Sequence, residues 1–169
     1  NSLYIALGLS AVAHGRLISI DTEAALHMPG VRAVLTAADI PGKNDCSPVM
    51  GDDPIFAKDK IMYHGQTLFA VVADTRAQAR DAVEKVQTEI TSLVPILSID
   101  AAVEQESFLE KPMSLSSGQA ENAYATAPCQ LSGELYAGGQ EHFYLEGQAA
   151  IAQADERGGI QLFVSTQHP

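Results

Sequence analysis

Gly138-Gly139-Gln140-Glu141-His142 is where this sequence concentrates groups that can do chemistry, with Phe143-Tyr144-Leu145-Glu146 running on from it and Ser165-Thr166-Gln167-His168-Pro169 closing the chain. Adjacent glycines let a backbone pass close to a bulky group, because neither carries a Cβ to hold it off. A side-chain amide is a neutral donor and acceptor. An acid, an imidazole and a phenol follow it within five residues. Glu141, His142 and Glu146 are of types that hold zinc at short spacing, but the set is incomplete in this chain. On local features alone the stretch also reads as a polar corner between two strands.

The elements that must position it alternate in kind. Leu3, Ile5, Leu7 and Leu9 alternate with Tyr4, Ala6 and Gly8, the period of a strand with one face on a core. Arg16 to Ile20 predicts a second strand. Asp21 or Thr22 then caps a short helix through Ala24, Ala25 and Met28, which Pro29-Gly30 ends. Val31 to Thr36 predicts another strand, with Pro41-Gly42 as a turn. Residues 43–59 form a loop whose acids, Asp45, Asp52 and Asp53, are too irregularly spaced for a calcium loop and read as solvated surface.

His64-Gly65 is a turn. Leu68 to Ala73 is a continuous apolar run, as in a strand buried on both faces. Thr75-x-x-Gln78 is a capping box opening a helix with Ala79, Ala82 and Val83 on one side. Val86, Thr88 and Ile90 leave it as a strand, and Asp100 caps a short helix through Val103. From Gln105 to Pro128 the composition turns to Ser, Glu, Ala, Pro and Gly, a linker with one weak helix. Gln130 to Tyr136, Gln148 to Ala154 and Ile160 to Ser165 read as strands, the last two joined by a turn at Glu156-Arg157-Gly158-Gly159. The fold class is therefore α+β.

The whole chain has 169 residues, with 46% hydrophobic and 18% charged residues, the balance of an ordinary globular protein. A formal charge of −11 argues against nucleic acid, whose phosphates would be repelled. No apolar run approaches the roughly 18 residues of a membrane helix, so no membrane partner is expected. Cys46 and Cys129 are too few and too far apart for a disulfide framework or a zinc knuckle, and a reduced, cytoplasmic chain is the expectation. The start at Asn1 and the close on a motif suggest a piece of a longer subunit.

The string from Gly138 to Glu146, followed by an apolar strand and Ser165 to Pro169, resembles the molybdenum-binding subunit of the xanthine dehydrogenase and aldehyde oxidase family. Its xanthine dehydrogenase branch is the nearer. The resemblance extends upstream through Leu17 to Thr22, Val34 to Gly42, Phe56-Ala57-Lys58-Asp59, Gly65-Gln66 and Val71-Val72-Ala73-Asp74. It implies an α/β hammerhead domain over 1–97, a linker over 98–128 and the first strands of a molybdopterin-binding domain over 129–169. Ser114 to Gly118 departs from the charged-glycine segment usual at that point, which leaves the linker's path open.

In proteins the chain resembles, the glutamine of this segment donates its amide N–H to an oxo ligand of molybdenum. The resemblance thus gives Gln140, Gly139 and Gly138 as the cofactor-binding residues, with Gln140 bonded to a metal ligand rather than to the metal. Glu141 and His142 hold the loop, and Phe143, Tyr144 and Leu145 pack. The implied cofactor is molybdenum–molybdopterin, with [2Fe-2S] clusters and FAD in partner domains or subunits of an oligomeric enzyme. The implied reaction is hydroxylation of a purine with oxygen from water, the electrons passing to NAD. An aldehyde or another N-heterocycle as substrate, or a purely scaffolding role, are the alternatives. No catalytic residue falls in this chain: the family's glutamate base and its substrate-orienting arginine and glutamate belong downstream. The fragment alone is expected to be inert. No cysteine cluster for an iron–sulfur centre and no dinucleotide fingerprint is present.

Overall fold

The computed structural model describes residues 2–143 and 147–166. Asn1–Pro112 and Met113–Pro169 are two compact units, each described by itself. The readings of Tyr144, Leu145, Glu146, Gln167, His168 and Pro169 made above lie outside the described residues.

The first unit is built on two antiparallel three-stranded sheets. One has the order β1 (Tyr4–Leu9), β5 (Thr67–Ala73), β3 (Val31–Thr36). The other runs β4 (Lys60–Ile61), β2 (Gly15–Asp21), β6 (Gln87–Ser92). Strand β5 is central and buried along most of its length, as its unbroken apolar run predicts. Its Leu68, Phe69 and Val71 join Ala25, Ala57, Ile61 and Ala82 in one cluster, against which Leu17, Ile20 and Ile90 of the second sheet pack. The short strand β4 was not legible in the sequence. Two residues carry no period, and it exists only by pairing with Gly15 and Arg16.

The period of two in β1 holds, but the inward face is the one with small residues. Gly8 is buried and Ala6 half-buried, while Ile5 and Leu7 are 63% and 52% exposed. Gly8 stands directly opposite Phe69, and a Cβ added to Gly8 would clash with the outer end of the Phe69 ring. Helix α2 (Arg76–Val83) packs on β1 and β5 with Ala79 and Ala82 fully buried, small residues that let helix and sheet approach closely.

Several local devices differ in detail from their sequence reading. Helix α1 (Glu23–Leu26) has Thr22 at its cap position without a side-chain bond, and Asp21 Oδ1 instead accepts from the Glu23 N–H at 3.0 Å. At α2 the Thr75 hydroxyl accepts from the Gln78 N–H at 3.2 Å, and its own proton goes to Gln78 Oε1 at 2.9 Å. The reciprocal partner is thus the side-chain hydroxyl, not the Thr75 backbone. A complete capping box appears where none was expected, at the 3₁₀ turn Ala37–Asp39: the Thr36 hydroxyl accepts from Ala38 N and Asp39 Oδ2 accepts from Thr36 N at 2.7 Å. Helix α3 (Ile99–Glu104) is capped by Ser98, whose hydroxyl accepts from Ala101 N, rather than by Asp100.

The loop over 43–59 is surface for its acids but not for its end. Asn44 makes a two-way bond with the Phe56 backbone, Ala57 N donates to Thr67 O at 2.8 Å, and Phe56 and Ala57 are buried. Gln66, 1% exposed, accepts from Met62 N at 2.8 Å and ties the turn at Gly65 (φ +87°) to the core.

Three carboxylates of this unit are held below the ordinary carboxylate range. For Asp74 the main cause is the two-pronged bond from Arg32, Nε and Nη2 donating at 2.8 and 2.7 Å. For Asp39 it is the Thr36 backbone N–H, and for Asp45 the Lys43 ammonium. Depressed folded values mean the stabilisation is present above the unfolded range, near 3.9, and is lost as pH falls through each folded value. We expect the thermal midpoint to fall below about pH 4. Asp74→Asn or Asp39→Asn should lower the midpoint at pH 7 and flatten that acid limb, measured by circular dichroism.

The second unit holds helix α4 (Ala120–Thr126) and the hairpin β7 (Ala150–Ala154) and β8 (Ile160–Val164). Asp155 Oδ1 builds the hairpin turn, accepting from Arg157 N and Gly159 N at 2.8 and 2.7 Å, with Gly158 at φ +82°. The strand read over Gln130 to Tyr136 does not form. Leu131 and Leu135 are almost fully exposed, and no described strand pairs with the segment. Alternation specifies a strand only where a neighbour takes up its backbone bonds.

Candidate functional site

Gly138, Gly139 and Gln140 are exposed and lie outside regular secondary structure, between α4 and the hairpin in the sequence. Neither glycine is left-handed, and nothing lies within 4 Å of the place a Cβ would take at either. The packing of the described residues therefore does not require glycine here. What the pair provides is room for a group to approach the backbone.

Gln140 is exposed and makes no hydrogen bond to another described residue, so both its amide donor and its acceptor are free within the chain. With Glu141 and His142 it lines an open depression of about 520 Å³. Glu141 Oε1 accepts a long bond, 3.5 Å, from the Phe143 N–H, and Phe143 has φ +49°, a conformation that costs a non-glycine residue energy. Phe143, read as core packing, is 79% exposed.

Among the described residues no group of three or more His, Cys, Asp or Glu could hold a metal ion. Glu141 and His142 belong to no such group among the described residues, and Glu146, the third residue of that reading, lies outside them. Cys46 and Cys129 are both free thiols. Partial desolvation, then the charges of Asp53 and Asp45, push the Cys46 thiol above its ordinary value, and its Sγ donates to Asp53 O at 3.3 Å. A thiol so held is a poor nucleophile. The depression presents a neutral amide beside a carboxylate and an imidazole, with glycine backbone before them, and the amide of Gln140 is of a type that can donate to an oxygen of a bulky group.

A sequence profile described as "Aldehyde oxidase and xanthine dehydrogenase, a/b hammerhead domain" matches residues 1–93, and one described as "Molybdopterin cofactor-binding domain" matches residues 103–169. The chain belongs to the aldehyde oxidase and xanthine dehydrogenase family. The hammerhead match lies within the first unit, and the molybdopterin-binding match begins ten residues before the second unit and covers it. Xanthine dehydrogenase/oxidase of Felis catus is 40% identical over 99% of the chain, and aldehyde oxidase 2 of Rattus norvegicus is also 40% identical over 99%. The chain spans only 13% and 12% of the lengths of these relatives.

Solved structures agree on the architecture. The aldehyde oxidoreductase from Desulfovibrio gigas superposes with a TM-score of 0.81 at 29% identity, over 98% of this chain and 20% of that one. Quinoline 2-oxidoreductase from Pseudomonas putida 86 superposes with a TM-score of 0.77 at 26% identity, over 98% of this chain and 23% of that one. No helix among the described residues is long and apolar enough to cross a membrane.

Proposed function

We propose that the chain is part of a xanthine dehydrogenase that hydroxylates purines, hypoxanthine and xanthine, to urate. The observation that carries this reading is the 36–40% identity to xanthine dehydrogenases over essentially the whole chain. When bound, molybdenum–molybdopterin supplies the two-electron redox step, with oxygen from water, and [2Fe-2S] clusters and FAD in partner domains or subunits carry the electrons on to NAD. Gln140 donates its amide N–H to an oxygen ligand of the metal, and Gly138 and Gly139 let the backbone come near it. Glu141 and His142 hold the bend that presents the amide. Residues 1–97 serve as the hammerhead, 98–128 as the connection, and 129–169 as the opening of the cofactor domain. The assembled enzyme is oligomeric and works in the cytoplasm.

The equal identity to aldehyde oxidase 2 supports a second reading, in which the substrate is an aldehyde or an N-heterocycle. Full-length enzyme assayed with xanthine, benzaldehyde and nicotinate separates the two. The first reading expects kcat/KM on xanthine to exceed that on benzaldehyde or nicotinate by at least about a hundredfold, the discrimination a pocket of matched hydrogen-bonding groups provides. A preference for either of the others transfers the assignment to the second. Residues 1–169 alone, incubated with xanthine and NAD, are expected to show no turnover.

A further inference from the structure

Strand β1 is an edge of its sheet, and its outer side is open. Tyr4–Leu9 bonds through its backbone to β5 alone, and no residue of it makes any other hydrogen bond to a described residue. The other edge, β3, is blunted by a register shift between Val31 and Ala33 and by the Arg32–Asp74 ion pair at its start. Nothing comparable protects β1, whose only irregularity, between Gly8 and Leu9, lies at its far end. Proteins rarely leave an apolar edge strand in this state without a partner for it.

Beside this edge runs a groove of about 490 Å³ between β1 and α2, lined by Ile5, Ala6, Leu7, Arg76, Arg80, Val83 and Glu84. Arg76 and Arg80 are one helical turn apart and exposed, and neither forms an ion pair with a described residue. Arg76 stands in the first turn of α2, where the helix's own N–H groups already carry positive charge and no acidic residue offsets it. In a chain of net charge −11 this is a local reversal of sign. On the opposite face of β1 the side chains of Ile5, Leu7 and Leu9 are more than half exposed.

We propose that β1 accepts an added strand from a part of the larger enzyme outside residues 1–169. The occupant is an extended segment alternating apolar and acidic residues. Its backbone pairs with the open edge of β1, its apolar side chains continue the Ile5–Leu7–Leu9 face, and its carboxylates turn toward Arg76 and Arg80. Main-chain bonds supply affinity in such additions, and alternate side chains supply selectivity. The remainder of the enzyme is a large reservoir for the segment, since the chain spans 12–13% of its relatives' length. A second copy of β1 is the wrong chemistry, because Tyr-Ile-Ala-Leu-Gly-Leu contains no carboxylate to meet the arginines.

The test uses the full-length enzyme and reads the β1 amides by hydrogen–deuterium exchange. Protection of successive amides over Tyr4–Gly8 is expected, because both edges of the strand are paired. Arg76→Glu with Arg80→Glu should speed exchange of the outward-facing amides about tenfold, the loss of two partly screened ion pairs, while β5 amides are unchanged. In parallel, Arg80→Lys allows zero-length carbodiimide coupling, which should join position 80 to an aspartate or glutamate outside residues 1–169. Fast exchange of alternate β1 amides in the unmodified enzyme overturns the proposal. So does protection that is indifferent to charge reversal, coupling to Glu84 alone, or coupling to a second copy of this chain. None of these outcomes bears on Gln140, so the proposed strand addition stands or falls separately from the catalytic reading.

Discussion

Gln140→Ala in the full-length enzyme is expected to lower kcat by about 10- to 100-fold while leaving the thermal midpoint unchanged. Both halves of the expectation come from the position of the side chain. Gln140 is exposed and makes no bond to the described residues, so removing it takes nothing from the packing of the chain. On the proposed reading, what is removed is a neutral N–H donor to an oxygen bound to the metal. Gln140→Glu is the sharper variant. It keeps the shape but exchanges the donor for a negative charge, and a carboxylate facing an oxygen ligand is repelled where an amide is held. Its activity should be no better than that of the alanine variant. Molybdenum content, measured by elemental analysis, separates loss of catalysis from loss of cofactor. Normal turnover at equal molybdenum content would leave the chain as a scaffold and remove Gln140 from the chemistry.

Most elements of the first unit were legible because each leaves a signal in its own residues. The apolar run of β5, the alanine face of α2 and the glycine at the Gly65 turn each have one physical solution, and the structure adopts it. What escaped the sequence was set by partners distant in the chain. Asn44 pins Phe56 from twelve positions away, and Lys60–Ile61 is a strand only because β2 lies alongside. The stretch over Gln130 to Tyr136 shows the converse, a strand pattern without a neighbour to complete it. At the candidate site, residue types announced a polar, sterically open stretch, and the structure keeps Gly138, Gly139 and Gln140 exposed and unencumbered.

Strand β1 offers the sharpest contrast between residue size and residue importance. Its leucines look like the core and its glycine like a gap, yet Gly8→Val is expected to destabilise the chain far more than Leu7→Ala. Gly8 is buried opposite Phe69, and the Phe69 ring occupies the volume a Cβ would need. That ring is 4% exposed and lies within the cluster that includes Leu68, Val71 and Ala82, so it has no free space to move into. Overpacking of this kind costs about 1–3 kcal/mol, and a β-branched side chain at a position with no room should reach or exceed the upper end. Leu7 is 52% exposed, so its truncation in residues 1–169 should cost less than about 1 kcal/mol. Urea denaturation followed by circular dichroism measures both. Gly8→Ala combined with Phe69→Leu should recover part of the loss, because the smaller side chain vacates the volume the new methyl enters. If Leu7→Ala proved the more damaging change, the inward face of β1 would be the leucine face. The open edge, the groove and the strand addition inferred from them would then have to be abandoned together.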